Sequence, residues 1–357
     1  MGTDKERNGR VMGQPIVITG AAGFIGRNTV AALNARGVKN LLLVDTLGKD
    51  EKWRNLVGLQ FADLLDKDEF LALVESGKAP AAEAVIHLGA CSSTTELDAD
   101  FLLHNNYRYT RTLCEWCLQR GTRFIYASSA ATYGDGRLGY SDDDVSTVTL
   151  RPLNMYGYSK HMFDLWAREA GLFDRIVGLK YFNVFGSYED HKGDMRSVVN
   201  KAYDQIIRGD DVSLFKSYRP EVADGEQQRD FIYVKDALDV TLFFLDHREV
   251  SGLFNCGTGL ARTWKDLAAA VFDALGLQPN IRFIDMPESL RAKYQYFTQA
   301  DMAKLRRAGY TTGFTSLEDG VRDYVANYLV SREDRLVRQE QETLPLFEAG
   351  GVSEARG

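Results

Sequence analysis

The chain is poor in the features that would tie it to a membrane, an oxidising compartment or a nucleic acid. No apolar run approaches the roughly 20 residues that a membrane span needs. The opening "MGTDKERNGRVMGQP" is polar, without the apolar centre of a signal peptide. Only four cysteines occur, Cys91, Cys114, Cys117 and Cys256, which excludes a disulfide-stapled scaffold and fits a cytoplasmic protein with reduced thiols. Cys114 and Cys117 form a C-x-x-C, but they fall in the helix-like "NNYRYTRTLCEWCLQRG" with no second ligand pair, so helix packing is expected there and no metal. Basic excess is also missing. The formal net charge is -7 with no basic stripe, which argues against nucleic acid and anionic membrane as partners.

What is present is an ordinary apolar content, 45% of 357 residues, enough for one large domain or two intimately joined ones. The apolar runs "IVITG" (16–20), "LLLVD" (41–45), "AVIHLGA" (84–90), "RFIYASS" (123–129) and "IVGLKYFNVFG" (176–186) alternate with helix-like stretches such as 24–37. This order predicts an α/β fold, a doubly wound parallel sheet of Rossmann type, with a smaller interleaved α/β substrate-binding domain. The expected boundaries are a mobile tail over 1–13, a dinucleotide domain over 14–186 with a return segment at about 234–260, a substrate domain over 187–233 and 261–330, and a tail over 331–357.

Directly after the first strand, "TGAAGFIG" sets Gly20, Gly23 and Gly26 at a strand-to-helix junction. There the first glycine makes the tight turn, the second admits a pyrophosphate to backbone N–H groups, and the third lets helix and strand close up. Asp45 ends the second strand about 20 residues on, where a carboxylate accepts from an adenosine ribose and favours NAD. Lys52 and Lys67 leave the choice open, since either can neutralise a 2′-phosphate or simply be a solvated lysine.

Further along, "NMYGYSKHMF" opens a helix in which Tyr156, but not Tyr158, stands four residues before Lys160 and so shares its face. A phenol is a poor base at neutral pH. A neighbouring ammonium and a cationic nicotinamide would stabilise its phenolate, so that Tyr156 can exchange a proton with a substrate hydroxyl while hydride moves. Ser128 and Ser129 end the strand "YASSAATYG" at the edge where ligands bind such sheets, and Ser129 is expected to donate to the same substrate oxygen.

Over roughly residues 15–330 these motifs resemble the extended short-chain dehydrogenase/reductase family, which acts on nucleotide-linked sugars with NAD or NADP. The segments "LGACSSTTE" (88–96), "HNNYRYT" (104–110), "YFNVFGSYEDHKGDM" (181–195) and "KYQYFTQADM" (293–302) are similar to the branch that epimerises ADP-linked heptoses for the lipopolysaccharide inner core. The resemblance implies NADP rather than NAD, held by Phe24, Ile25, Asp45, Thr46, Lys52, Lys67, Leu88, Gly89, Ala90, Cys91, Ser92, Asn105, Lys160 and Val184. It implies an ADP-heptose substrate contacted by Ser92, Asn183, Asp194, Lys201, Phe215, Lys216, Ser217, Tyr218, Arg229 and Tyr294, and a homo-oligomer, commonly a pentamer. The loop "KSYRPEVADGEQQ" (216–228) is longer than usual in that branch, Asp194 replaces a small residue and Lys201 a histidine.

The resemblance also gives a role to Lys192 in "YEDHKGDM" (188–195). Inverting a carbinol through a ketone requires a proton partner on each side of the sugar, and Lys192 stands as the second beside Tyr156. Without the resemblance it reads as a solvated loop charge. Glu189, Asp190 and Asp194 are expected to push its pKa up, against that role. Two other readings remain: a nucleotide-sugar 4-epimerase, 4,6-dehydratase or reductase, and a silent dinucleotide sensor. Ala130 and Ala131, where a dehydratase carries an acidic pair, oppose the dehydratase. The retained Tyr156 and Lys160 oppose the sensor.

Overall fold

The computed structural model describes residues 13–291 and 293–332. The expected tails over 1–13 and 331–357 lie outside these except for Gly13, Ser331 and Arg332, and the last two continue a helix. Among the described residues the strands are β1 (Ile16–Thr19), β2 (Leu41–Val44), β3 (Asp63–Leu65), β4 (Ala84–His87), β5 (Arg123–Ser129), β6 (Val177–Tyr181), β7 (Asn183–Phe185), β8 (Val212–Phe215), β9 (Gln228–Tyr233), β10 (Gly252–Cys256), β11 (Ala261–Thr263) and β12 (Ile281–Ile284). Seven form one sheet in the order β10-β6-β5-β4-β1-β2-β3, parallel throughout. The doubly wound α/β fold expected from the apolar runs is therefore present.

Alternation along the buried strands supplies both faces. Ile16, Ile18, Leu41 and Leu43 join one apolar cluster with Val30, Leu33, Val240 and Phe244 from the helices Phe24–Ala35 and Val234–Asp246. Val17, Leu42, Val44 and Val85 point the other way, onto Phe70, Leu113, Trp116 and Phe163 from three further helices. Because side chains alternate with period two, a strand covered on both faces must be apolar at every position. Cys114 and Cys117 are fully buried within this second cluster.

Chain order runs one way from β1 to β3 and the other way from β4 to β6, so the direction reverses between β1 and β4. A crevice opens at such a switch point, outside the carboxyl ends of the strands. Two smaller sheets, β11-β9-β7 and β12-β8, carry a third apolar cluster with the helices Val198–Ile207, Trp264–Ala274 and Leu317–Tyr324. They cap the crevice.

One strand boundary differs from the sequence reading. The run 176–186 breaks at Phe182, whose N–H donates to the Cys256 carbonyl at 3.0 Å. Residues 177–181 stay in the large sheet, while 183–185 pair with β9 in the small one. Apolarity is continuous across the break, so periodicity does not reveal it.

Candidate active site

A cleft of about 650 Å³ lies at the switch point, lined by the glycine turn, the ends of β4 and β5, Tyr156, Lys160 and the loop carrying Lys192. Its floor explains the glycines. Gly20 has φ +67°, and a Cβ there would stand 2.7 Å from the Gly89 nitrogen; a Cβ on Gly26 would stand 2.0 Å from the Gly20 carbonyl oxygen. The turn is thus packed against the neighbouring strand end and the helix Phe24–Ala35 starts on it, leaving a cradle of backbone N–H groups that fits a dinucleotide pyrophosphate.

Beyond the carboxyl end of β2, a recess of about 370 Å³ is lined by Asp45, Thr46, Lys52, Lys67, Phe101 and Asn105, among others. The Asp45 carboxylate makes three bonds within the protein. It accepts from the Ala22 N–H at 2.7 Å, from the Thr46 N–H at 2.8 Å and from the Lys52 ammonium at 2.6 Å. Lys67 donates to Asp68.

At the other end, the helix Met155–Glu169 begins under an Asn154 cap that accepts from the Gly157 N–H at 2.8 Å, and it presents Tyr156 and Lys160 to the cleft. The two strand-end serines separate in role. Ser128 donates to the buried Asp164 at 2.7 Å, whereas Ser129 stands against the phenol. Burial pushes the Tyr156 pKa up, and the Ser129 hydroxyl offsets part of that rise. The Lys160 ammonium donates to the Ala127 carbonyl at 2.8 Å. Burial pulls its pKa down to about 8, and Asp164 opposes that fall.

Three supporting groups escape sequence reasoning. Asp164, one turn beyond Lys160, binds Tyr126 and Ser128 and pairs at 3.2 Å with Lys180, both charges being completely buried. Asn106, on a π-helical turn, bonds the Cys91 N–H and carbonyl at 2.9 Å each and the Ser159 hydroxyl at 3.0 Å, fixing the 88–92 loop to the helix Met155–Glu169. His191 lines the cleft, and its Nδ1 is bonded at 3.0 Å by Asn55, which also donates to Ala22 of the glycine turn. The Asp164–Lys180 pair has a weak signal, namely charges set within otherwise apolar periodicity. The other two lie inside segments that carry the family resemblance, 104–110 and 181–195, but have no periodicity or charge signal of their own.

Lys192 reaches the same cleft from the cap side, its ammonium 5.3 Å from the centre of the Phe24 ring. Its expected electrostatics are corrected. The Lys192 pKa lies below the ordinary lysine value, first through burial, with Lys201 lowering it further and Glu189 opposing. The loop's acids do not dominate because burial outweighs Glu189, which still acts on the lysine, and Asp190 is paired elsewhere. Glu189 accepts from the Ser197 N–H at 2.6 Å, and Asp190 pairs with Arg332 at 2.5 Å.

Of the remaining sequence-predicted positions, Phe24, Ile25, Leu88, Ala90, Ser92, Asn183 and Val184 line the cleft. Arg229 is buried nearby, its guanidinium 4.9 Å from the Tyr294 ring centre and 5.6 Å from that of Trp264. Phe215, Lys216, Ser217 and Tyr218 stand outside the lining. Phe215 packs against Tyr294, the Ser217 N–H donates to Asp224, and Lys216 and Tyr218 both bond Asp285. Asp194 and Lys201 also stand off the lining and contact one another, Lys201 donating to the Asp194 carbonyl at 2.5 Å.

A glycine cradle at a switch point, a tyrosine beside a strand-end serine and a buried lysine one turn on define a dinucleotide-dependent enzyme that works on a hydroxyl or carbonyl group. The profile of the NAD dependent epimerase/dehydratase family matches residues 16–257, and the chain belongs to that family. It is 55% identical over 321 residues to the ADP-L-glycero-D-manno-heptose-6-epimerase of Nitratidesulfovibrio vulgaris, covering 90% of this chain and 99% of that one. The crystal structure of the Helicobacter pylori enzyme of the same name superposes with a TM-score of 0.74 at 26% identity, covering 88% of this chain and 96% of that one. A UDP-glucose 4-epimerase from Thermus thermophilus in complex with NAD gives a TM-score of 0.68 at 27% identity, covering 87% and 97%.

Proposed function

We propose that the protein inverts C6″ of ADP-D-glycero-D-manno-heptose, giving ADP-L-glycero-D-manno-heptose, by transient oxidation to a 6″-ketone and re-reduction from the opposite face. The product would serve lipopolysaccharide inner-core synthesis. The observation that carries this reading is the meeting of two proton-transfer groups in one cleft, Tyr156 from the catalytic helix and Lys192 from the cap-side loop. When bound, the nicotinamide supplies the hydride acceptor and donor. Tyr156, with Ser129 beside it, takes or returns the hydroxyl proton in one sugar orientation, and Lys192 does so in the other. Lys192 must shed its proton to act as a base, and its lowered pKa suits that. Incubating the protein with ADP-D-glycero-D-manno-heptose and following C6″ by NMR tests the reading. Interconversion of the two epimers is expected; an unchanged sugar in the presence of bound dinucleotide overturns it.

The cofactor proposed is NADP. Asp45 would repel a 2′-phosphate if free, but Lys52 pairs with it at 2.6 Å and offsets its charge, and it also accepts from the Ala22 and Thr46 N–H groups. Lys52 and Lys67 are the cationic groups at the recess that a 2′-phosphate would draw from Asp45 and Asp68. A charge-assisted hydrogen bond contributes about 1.5–3 kcal/mol, so Lys52→Ala is expected to weaken NADP binding at least about tenfold and NAD binding far less. Fluorescence titration of the dinucleotide-stripped protein measures both. Equal losses for the two dinucleotides remove Lys52 from phosphate recognition.

A further inference from the structure

Nothing in the Lys192 side chain's own bonding holds it in place: among the described residues its ammonium makes no hydrogen bond to protein, and its neighbours are the Phe24 ring, Glu189 and Lys201. Its position is therefore set by its backbone. That backbone turns sharply back at Gly193, with φ +53°, between Lys192 and Arg196.

The turn is fastened on the cap side by residues far along the chain. Asp190 accepts from Arg332 at 2.5 Å, from the Tyr328 hydroxyl at 2.5 Å and from Asn200 at 3.0 Å. The second guanidinium nitrogen of Arg332 binds Asp204 at 2.6 Å, and Asp204 binds Arg196, just past the turn, at 2.6 Å. Buried Glu189 is held by Ser197 and by the Tyr324 hydroxyl at 3.1 Å. Arg332 thus bridges two carboxylates that reach both ends of the segment carrying Lys192, and its side chain is only 14% exposed.

We propose that Arg332 is a positioning residue for Lys192: it clamps the 189–196 turn to the cap through Asp190 and Asp204, and so holds the lysine at the cleft wall. The proposal rests on the reading of Lys192 as a proton partner. Arg332 lies well beyond residue 257, where the match to the family profile ends. A bidentate guanidinium suits the task because its planar fork meets two carboxylates in fixed directions, which a lysine cannot do.

The test uses the full chain and compares wild type with Arg332→Ala, Arg332→Lys, Tyr328→Phe, Lys192→Ala and the Arg332→Ala/Lys192→Ala double variant. A misplacement of about 1 Å can cost a hundredfold in rate. Arg332→Ala is expected to lose about ten- to hundredfold in kcat, with KM and bound dinucleotide unchanged. Arg332→Lys should recover part of the loss, and Tyr328→Phe should show a smaller one. If Arg332 acts only through Lys192, adding Arg332→Ala to Lys192→Ala costs less than about twofold more. Wild-type turnover in Arg332→Ala, loss of its dinucleotide, or a full multiplicative loss in the double variant overturns the proposal.

Amide hydrogen exchange gives a readout independent of activity. In Arg332→Ala, exchange over 189–197 should accelerate at least about tenfold while β1 and β5 stay protected; unchanged exchange overturns the clamp. If the wild-type protein leaves ADP-heptose unchanged, the functional reading fails, and the exchange result alone decides the clamp.

Discussion

In Tyr156→Phe, epimerisation is expected to fall about a thousandfold while the bound dinucleotide and the melting temperature stay near those of the wild type. General acid–base catalysis by one positioned group is worth about 10²- to 10⁴-fold, and the phenol is well placed to supply it. It stands in the cleft against Ser129. Its helix is anchored independently of the hydroxyl, by the Asn154 cap and by Asn106 bonding to Ser159, so the substitution removes a proton site and little else. The Lys160 ammonium is committed to the Ala127 carbonyl, so in the protein alone the Ser129 hydroxyl is the neighbour that favours the phenolate. Ser129→Ala should therefore lower turnover in the same direction but by less. Turnover of Tyr156→Phe within tenfold of wild type assigns the proton transfer to another group.

How much of this was legible in the sequence depends on the range of the interaction. The large sheet could be read because a strand covered on both faces is apolar throughout, a property local to four or five residues. Tyr156 and Lys160 could be paired because helical spacing is local too, and the Gly20 turn because a strand and a helix flank it. The break at Phe182 could not be read, since it depends on the Cys256 carbonyl 74 positions away. The same holds for the Asp164–Lys180 pair. Each charge looks out of place in its own element, and only the assembly of the helix Met155–Glu169 with the sheet makes them partners.

The acidic loop is the instructive case. From sequence, Glu189, Asp190 and Asp194 count as charges beside Lys192 that raise its pKa. In the fold Asp190 is paired across the chain with Arg332, while Glu189, bound by the Ser197 N–H, still raises the Lys192 pKa but by less than burial lowers it. Local composition had the net sign wrong because it registers neither the burial of the ammonium, which is the largest effect, nor the distant partner that takes Asp190 away.

This altered balance leads to the second large effect. Lys192→Ala is expected to lower epimerisation about a hundred- to thousandfold with dinucleotide retained, since it deletes the second proton partner. Lys192→Arg separates proton transfer from simple charge. A guanidinium keeps the positive charge over Phe24 but does not lose its proton at any working pH, so Arg should be nearly as inactive as Ala if Lys192 must act as a base in one direction. If the lysine only stabilises a developing negative charge, Arg retains most of the turnover and Ala does not. The pH dependence gives the same answer by another route. A base with a lowered pKa is populated in its neutral form as pH rises toward that pKa, so wild-type turnover should climb on the alkaline side of neutrality and the climb should vanish in Lys192→Arg. Measuring kcat against pH for the three proteins, with C6″ configuration read by NMR, decides between the two roles; a climb that persists in Lys192→Arg takes the proton away from Lys192.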